Sequence, residues 1–250
     1  MFTVADRNRV RDHVLARARA DSRVVAGAAV GSLAKSEGDR WSDLDLTFGV
    51  VDAVPIHEVL DDFAADLAGA FDAVALFDLP SGAALYRVFL VPGCLQLDLS
   101  AAPASAFGAL GPDFKLLFGK AIEGARTPPP PEAWQMFGYA VHHALRARFC
   151  IERGRLWQAE YWISGVRDYA LSLACRRRGL PASYGRGFDA LPDATRRAAA
   201  DALVRSVDRD ELLRALTCSI DLLLCETEEV PEIARKVESD LRRLTESALA

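Results

Sequence analysis

The sequence predicts a small α/β domain with a mixed sheet, followed by an all-α helical bundle. Three observations indicate this order. Short apolar runs typical of strands are confined to residues 23–100. Four consecutive prolines stand at 128–131, as in a stiff extended linker. Beyond them the pattern is helical. We therefore predict an α/β domain over 1–127, a proline-rich linker at 128–131 and a helical domain over 132–250.

The first half alternates helix and strand patterns. Residues 4–20 carry apolar side chains at helical spacing, and Pro55 opens a second helix that runs to about Gly69. The strand-like runs are RVVAGAAVGS, LDLTFGV, DAVALFD, ALYRVFLV and CLQLDLS. Because Pro92-Gly93 is a turn signal between the last two runs, we expect them to form a hairpin.

The second half contains almost no strand signal. Gly154, Asp208 and Pro231 are typical of helix boundaries and divide it into segments. The predicted helices are 133–152, 155–178, 192–206, 208–226 and 231–248. No internal repeat is evident.

Composition narrows the class of protein. The chain of 250 residues has 35 acidic and 30 basic residues, a net charge of -5, which argues against a long nucleic-acid partner. Five cysteines without a Cys-x-x-Cys pair argue against a disulfide framework or a structural zinc site. The N-terminal residues lack an apolar signal core and no run is long enough to span a bilayer, so we expect a cytoplasmic protein without a membrane partner.

Three aspartates stand out in two strand-like runs. In LDLTF the side chains of Asp43 and Asp45 lie on the face opposite Leu44 and Leu46. The run LQLDLS places Asp98 in the same way. If the two strands are neighbours in one sheet, the three carboxylates converge. Converging carboxylates repel one another, and a divalent cation removes that repulsion.

The donor types indicate which cation. Carboxylate oxygens without histidine or cysteine suit Mg²⁺, with Mn²⁺ as an alternative, rather than Zn²⁺. Mg²⁺ completes its coordination with water and substrate phosphates, so the pattern predicts a site for a nucleotide polyphosphate. Gly31-Ser32 precedes Asp43 by about ten residues. Glycine lets a phosphate approach the backbone, and Ser32 offers a hydroxyl and an N–H, at the positive end of a short helix if one starts at Leu33.

The spacing Gly31-Ser32, ten residues, Asp43-x-Asp45 resembles the signature of the nucleotidyltransferase superfamily typified by DNA polymerase beta. Asp98 stands where that family's third carboxylate is expected. The resemblance covers roughly residues 22–100. An α/β domain followed by helices is similar to the architecture of the antibiotic nucleotidyltransferases, which adenylylate aminoglycosides or lincosamides.

The resemblance implies a role for each of these residues. Asp43, Asp45 and Asp98 would hold two Mg²⁺ ions, and Gly31 with Ser32 would cradle the β- and γ-phosphates of ATP. A hydroxyl of a small-molecule acceptor would attack the α-phosphorus, so AMP is transferred and pyrophosphate leaves. The acceptor would lie between the two domains.

One predicted helix in the second half carries two further candidates. In GRLWQAEYWISGVRDYALSLACRRRG, Arg167 could pair with a phosphate and Glu160 could serve the acceptor as ligand or general base. The alternative is that both lie on a solvated helix face. Whether the base is Asp98 or a helical-domain carboxylate stays open.

Two other functions are compatible with the motif. An AMP-transferring antitoxin-type protein would modify a partner protein, although such proteins are usually little more than the α/β domain. A non-catalytic nucleotide-binding module would keep the fold but need not keep all three carboxylates. The identity of the acceptor, the preferred nucleotide and the oligomeric state do not follow from the sequence.

Overall fold

The structure is a computed structural model that describes residues 1–34, 39–110, 113–123 and 132–246. The chain divides into two compact units, Met1–Pro128 and Pro129–Ala250. Each unit has its own hydrophobic core. The predicted proline linker at 128–131 lies outside the described residues.

The first unit is a mixed sheet with two helices. Its elements in chain order are α1 (Val4–Ala20), β1 (Val24–Val30), β2 (Leu44–Val50), α2 (Ile56–Phe71), β3 (Val74–Ser81), β4 (Ala84–Val91), β5 (Leu95–Pro103) and β6 (Phe114–Phe118). The strand order is β3-β4-β5-β2-β1-β6. β2 and β5 are parallel neighbours, and the other pairs are antiparallel. The predicted β4–β5 hairpin is confirmed, whereas edge strand β6 was missed.

Both helices pack against one face of this sheet, because the alternation of the central strands makes that face apolar. The apolar core combines residues of β2, β5, α1 and α2, namely Leu44, Leu46, Phe48, Leu95, Leu97, Leu99, Val10, Val14, Ala18, Val59, Leu60, Phe63 and Leu67. The polar side chains of the central strands therefore lie on the opposite face.

Every regular element described in the second unit is a helix. Its helices are α3 (Ala133–Glu152), α4 (Leu156–Arg177), α5 (Asp193–Asp201), α6 (Arg209–Cys225) and α7 (Pro231–Arg243). They surround a core of their own, to which α3 and α4 contribute many alanines and small apolar residues. The predicted fold class, an α/β domain followed by a helical bundle, is confirmed.

Two predicted helices of the second unit extend several residues beyond the observed ones, whereas the other three agree within one residue at each end. The segment 192–206 is helical only to Asp201, where Arg214 of α6 donates hydrogen bonds to the carbonyl oxygens of Asp201 and Leu203. Within 231–246, the described part of the predicted helix 231–248, the helix ends at Arg243, and Arg148 of α3 donates to the carbonyl of Leu244. In both cases a distant arginine satisfies carbonyl groups that the end of a helix leaves without an intrahelical partner.

The length and composition of the helices can be compared with what a membrane-spanning helix needs. Within the described ranges, none combines the length and the apolar character that crossing a bilayer demands.

Candidate metal centre

Three carboxylates meet on the open face of the sheet. β2 and β5 run parallel with Asp45 opposite Asp98, and Asp43 lies just before β2. One carboxylate oxygen from each of Asp43, Asp45 and Asp98 lies within 4.8 Å of the other two. All three side chains are partly exposed, so an ion could reach them from solvent. The oxygen-only donor set fits Mg²⁺ or Mn²⁺.

Within the cluster, the ionised form of Asp98 is disfavoured. Burial raises the pKa of Asp98 above its ordinary value, a hydrogen bond from Gln96 Nε2 at 2.9 Å lowers it, and the negative charge of Asp43 raises it again. The net direction is upward. A carboxyl group in this state gains from a nearby cation, because the cation favours the ionised form that burial and Asp43 disfavour.

Gly31 follows the end of β1 and lies directly against this cluster. Its φ is +66°, a region that favours glycine, and a Cβ atom there would lie 2.5 Å from Oδ2 of Asp45. The Gly31 N–H donates to the carbonyl of Asp113 at 3.2 Å, so this group is already engaged. The phosphate-binding role expected of Gly31 and Ser32 stays a prediction.

Gly31–Leu33 form a short 3-10 turn, and a helix starting at Leu33 would run into residues outside the described ranges. A single turn has almost no aligned dipoles to sum, so the described residues alone contribute little helix dipole to phosphate binding. Residues 35–38, which follow the turn, lie outside the described residues.

The segment before Asp43 is held by a buried arginine that sequence reasoning missed. Arg7 of α1 is 4% exposed, and its Nη1 donates to the carbonyl oxygens of Asp39 at 2.7 Å and Ser42 at 2.8 Å. Asp39 also accepts from the backbone N–H of Trp41 at 2.8 Å. The backbone that leads into Asp43 is therefore tied to α1. A signal existed, because Arg7 falls in line with the buried face of the helix, three residues before Val10.

The two helical-domain candidates both have local partners in α4. Arg167 donates from Nε and Nη2 to Oδ1 of its neighbour Asp168, at 3.0 and 2.9 Å. Glu160 accepts from the hydroxyl of Ser164 at 2.9 Å. These contacts suit a partly solvated helix face, and the proposed roles of Arg167 and Glu160 stay predictions.

Comparisons with known proteins add a distant likeness. Neither the protein-family models nor the curated proteins contain a match to this sequence. Among solved structures, the chain is similar to an aminoglycoside 6-adenyltransferase from Bacillus subtilis, with 11% identity, a TM-score of 0.36, and coverage of 94% of this chain and 96% of that chain. Identity and score are both low, and this likeness carries no argument about function.

Proposed function

We propose that this chain is a metal-dependent nucleotidyltransferase that moves AMP from ATP onto a hydroxyl of a small molecule and releases pyrophosphate. The observation that carries the proposal is the meeting of Asp43, Asp45 and Asp98, from two parallel strands, within 4.8 Å. Gly31, packed against Asp45, and the adjoining Ser32 supply the second part of the motif.

The reaction needs positioning more than covalent help from the protein. The acceptor oxygen forms a bond to the α-phosphorus of ATP, and the bond from that phosphorus to the oxygen bridging the β-phosphate breaks. Pyrophosphate leaves with the electron pair of that bond. The hydroxyl proton passes to a carboxylate, either Asp98 or a helical-domain group such as Glu160. Mg²⁺ or Mn²⁺ ions held by the aspartates would neutralise charge on the attacking and leaving oxygens.

For the acceptor we propose a chemical class, a cationic small molecule with hydroxyl groups. The net charge of -5 favours approach of a cationic molecule, and aminoglycosides are cationic hydroxyl-bearing compounds. An antibiotic of that kind is therefore the first acceptor to test, and antibiotic resistance is the proposed biological role.

A calorimetric titration tests whether nucleotide binding depends on metal. The protein should bind ATP with Mg²⁺ present and much more weakly after chelation. Binding with no magnesium-linked signal would favour a non-catalytic module. Incubation with labelled ATP and a panel of hydroxyl-bearing small molecules then identifies the acceptor, and label found only on protein would favour an antitoxin-type activity.

Substitution of the carboxylates tests the site itself. Asp43→Asn and Asp45→Asn should abolish transfer with little change in melting temperature, because each removes one metal ligand from a partly exposed position. Asp72→Asn is the matched control: Asp72 is exposed and left-handed with φ 53°, a conformation that asparagine accepts. Normal turnover by either of the first two variants would refute the assignment.

A further inference from the structure

A cavity of about 270 Å³ opens on the same face of the sheet as the carboxylates. Its walls include Thr47 of β2, Ala84 and Tyr86 of β4, Ala102 of β5 and Phe107. All of them belong to the first unit. Pockets that enclose a whole drug-sized ligand measure roughly 300–1,000 Å³. This cavity is therefore suited to one end of a ligand rather than to all of it.

Strand register places the cavity next to the aspartate cluster. Asp45 and Asp98 are opposite each other, and the next row on the same face consists of Thr47, Ser100 and Tyr86 across β2, β5 and β4. Two residues along a strand span about 7 Å. A molecule with a phosphate at the carboxylates needs only a sugar-sized connection to reach the cavity.

Tyr86 lies beside both the aspartate cluster and the cavity. Burial raises the pKa of its hydroxyl, a hydrogen bond with Ser100 lowers it, and the charge of Asp45 raises it. The hydroxyl therefore stays protonated near the carboxylate cluster, while Tyr86 also forms part of the cavity wall. It can contact a ligand that extends from one place to the other.

The lining indicates the chemistry of the occupant. Among the described residues, the walls carry no charged side chain, and their polar side chains are the hydroxyls of Thr47, Ser81 and Tyr86. A cationic or heavily hydroxylated group would lose its hydration there without enough partners. A neutral planar ring can pack against the apolar walls and meet the hydroxyls at its edge, since a hydroxyl both donates and accepts.

We propose that this cavity receives the base of the nucleotide whose phosphates lie at Asp43, Asp45 and Asp98. The proposal rests on the proposed function, and it makes the first unit responsible for recognising the nucleoside. Thr47 and Tyr86 are then binding residues for the nucleotide.

The test compares ATP with inorganic triphosphate, which has the phosphates and lacks the nucleoside. Both are titrated calorimetrically, with Mg²⁺, into the intact chain and its variants. Ala84→Leu fills the cavity and should weaken ATP binding at least about tenfold while leaving triphosphate binding unchanged. Tyr86→Phe keeps the ring and should weaken ATP binding about 2–10-fold by removing one neutral hydrogen bond. Ala75→Leu, at an exposed alanine of β3 that is absent from the cavity wall, is the control and should change neither affinity.

Thermal melting tests whether each variant is folded. If Ala84→Leu does not fold, the Tyr86→Phe result tests the proposal. Unchanged ATP binding in the folded variants would overturn the proposal and leave the cavity to the acceptor. An equal loss for ATP and triphosphate would also overturn it, because the effect would then lie at the phosphates. If the unsubstituted chain binds neither ligand, the proposed function itself fails, and this proposal fails with it.

Discussion

Gly31→Ala is the substitution whose effect on the metal centre can be worked out most directly. The added Cβ atom would lie 2.5 Å from Oδ2 of Asp45, and ordinary van der Waals contact begins at 3.4 Å. The atoms must therefore separate by about 0.9 Å. Either the Asp45 carboxylate turns away from the other two aspartates, or the backbone at Gly31 moves.

The expected loss has two parts. An alanine at φ +66° costs about 1–2 kcal/mol of stability, since its Cβ crowds the following carbonyl in the left-handed region. The displacement of the carboxylate adds a functional loss, because misplacing a reacting group by about 1 Å can cost on the order of 100-fold in rate. We expect Mn²⁺ affinity to fall roughly 10–100-fold, as when groups that orient metal ligands are removed.

Gly154→Ala separates the two parts. Gly154 has the same φ of +66°, but among the described residues no atom beyond its two chain neighbours lies within 4 Å of its hypothetical Cβ. This control has the same backbone strain and does not change the aspartate cluster. Calorimetric titration with Mn²⁺, well below the melting temperature of each variant, measures the difference between them.

The comparison has a clear negative outcome. If the Gly31→Ala protein binds Mn²⁺ as tightly as the Gly154→Ala protein, then either Asp45 is not a ligand or its carboxylate has room to move. The reasoning from the 2.5 Å approach would then be wrong.

Three further predictions concern the support of the site and of the second unit. Arg7→Met should weaken Mn²⁺ binding about tenfold. Arg7→Lys should recover part of the loss, because a lysine can still donate to a carbonyl oxygen. An equal loss in both variants would indicate a packing effect. Burial raises the pKa of Asp98, so the free energy of unfolding of the metal-free protein should fall as pH rises through that pKa. Over the same pH range, Mn²⁺ affinity should increase. Gln96→Leu removes the hydrogen bond that lowers this pKa, so the midpoint of Mn²⁺ affinity against pH should move upward; an unchanged midpoint would contradict this. Arg148→Met should cost about 2–4 kcal/mol in denaturant unfolding, because it removes the hydrogen bonds to the carbonyls of Leu244 and Glu246 and the ion pair with Glu152. Arg146→Met, on the same helix but partly exposed, should cost little; similar losses would contradict the role assigned to these contacts.

The faces of the central strands were predictable, but their register was not. Alternation in LDLTF and LQLDLS placed Asp45 and Asp98 opposite the leucines, because successive side chains of a strand point to opposite faces. That β5 returns beside β2, in parallel and with Asp45 opposite Asp98, depends on a crossover through α2, β3 and β4. Local pattern carries no information on that path. The prediction of converging carboxylates therefore remained conditional until the sheet order was known.

Edge strand β6 shows a different limit. Its sequence FKLLF has five residues and no clear alternation, so periodicity cannot distinguish a strand from a helical turn. Its pairing partner β1 lies more than 80 residues earlier in the chain. Tyr86 was missed for a related reason, since its position beside the carboxylates follows only from its register opposite Ser100.

The features that sequence reasoning missed most consistently are links from arginines to backbone carbonyls. Arg7 binds carbonyls 32 and 35 residues away, and Arg148 binds carbonyls 96 and 98 residues away. A charged residue is normally assigned to the surface, because an unpaired buried charge is costly. Yet a guanidinium has several donors on a long side chain, so carbonyl groups of a distant loop or helix end can accept from part of it inside the fold. Arg7 lies in line with the buried face of α1, and Arg148 lies among the buried residues of α3. At both positions an arginine on an otherwise apolar helix face binds carbonyls of a distant segment, and at Arg7 that segment leads directly to Asp43 of the aspartate cluster.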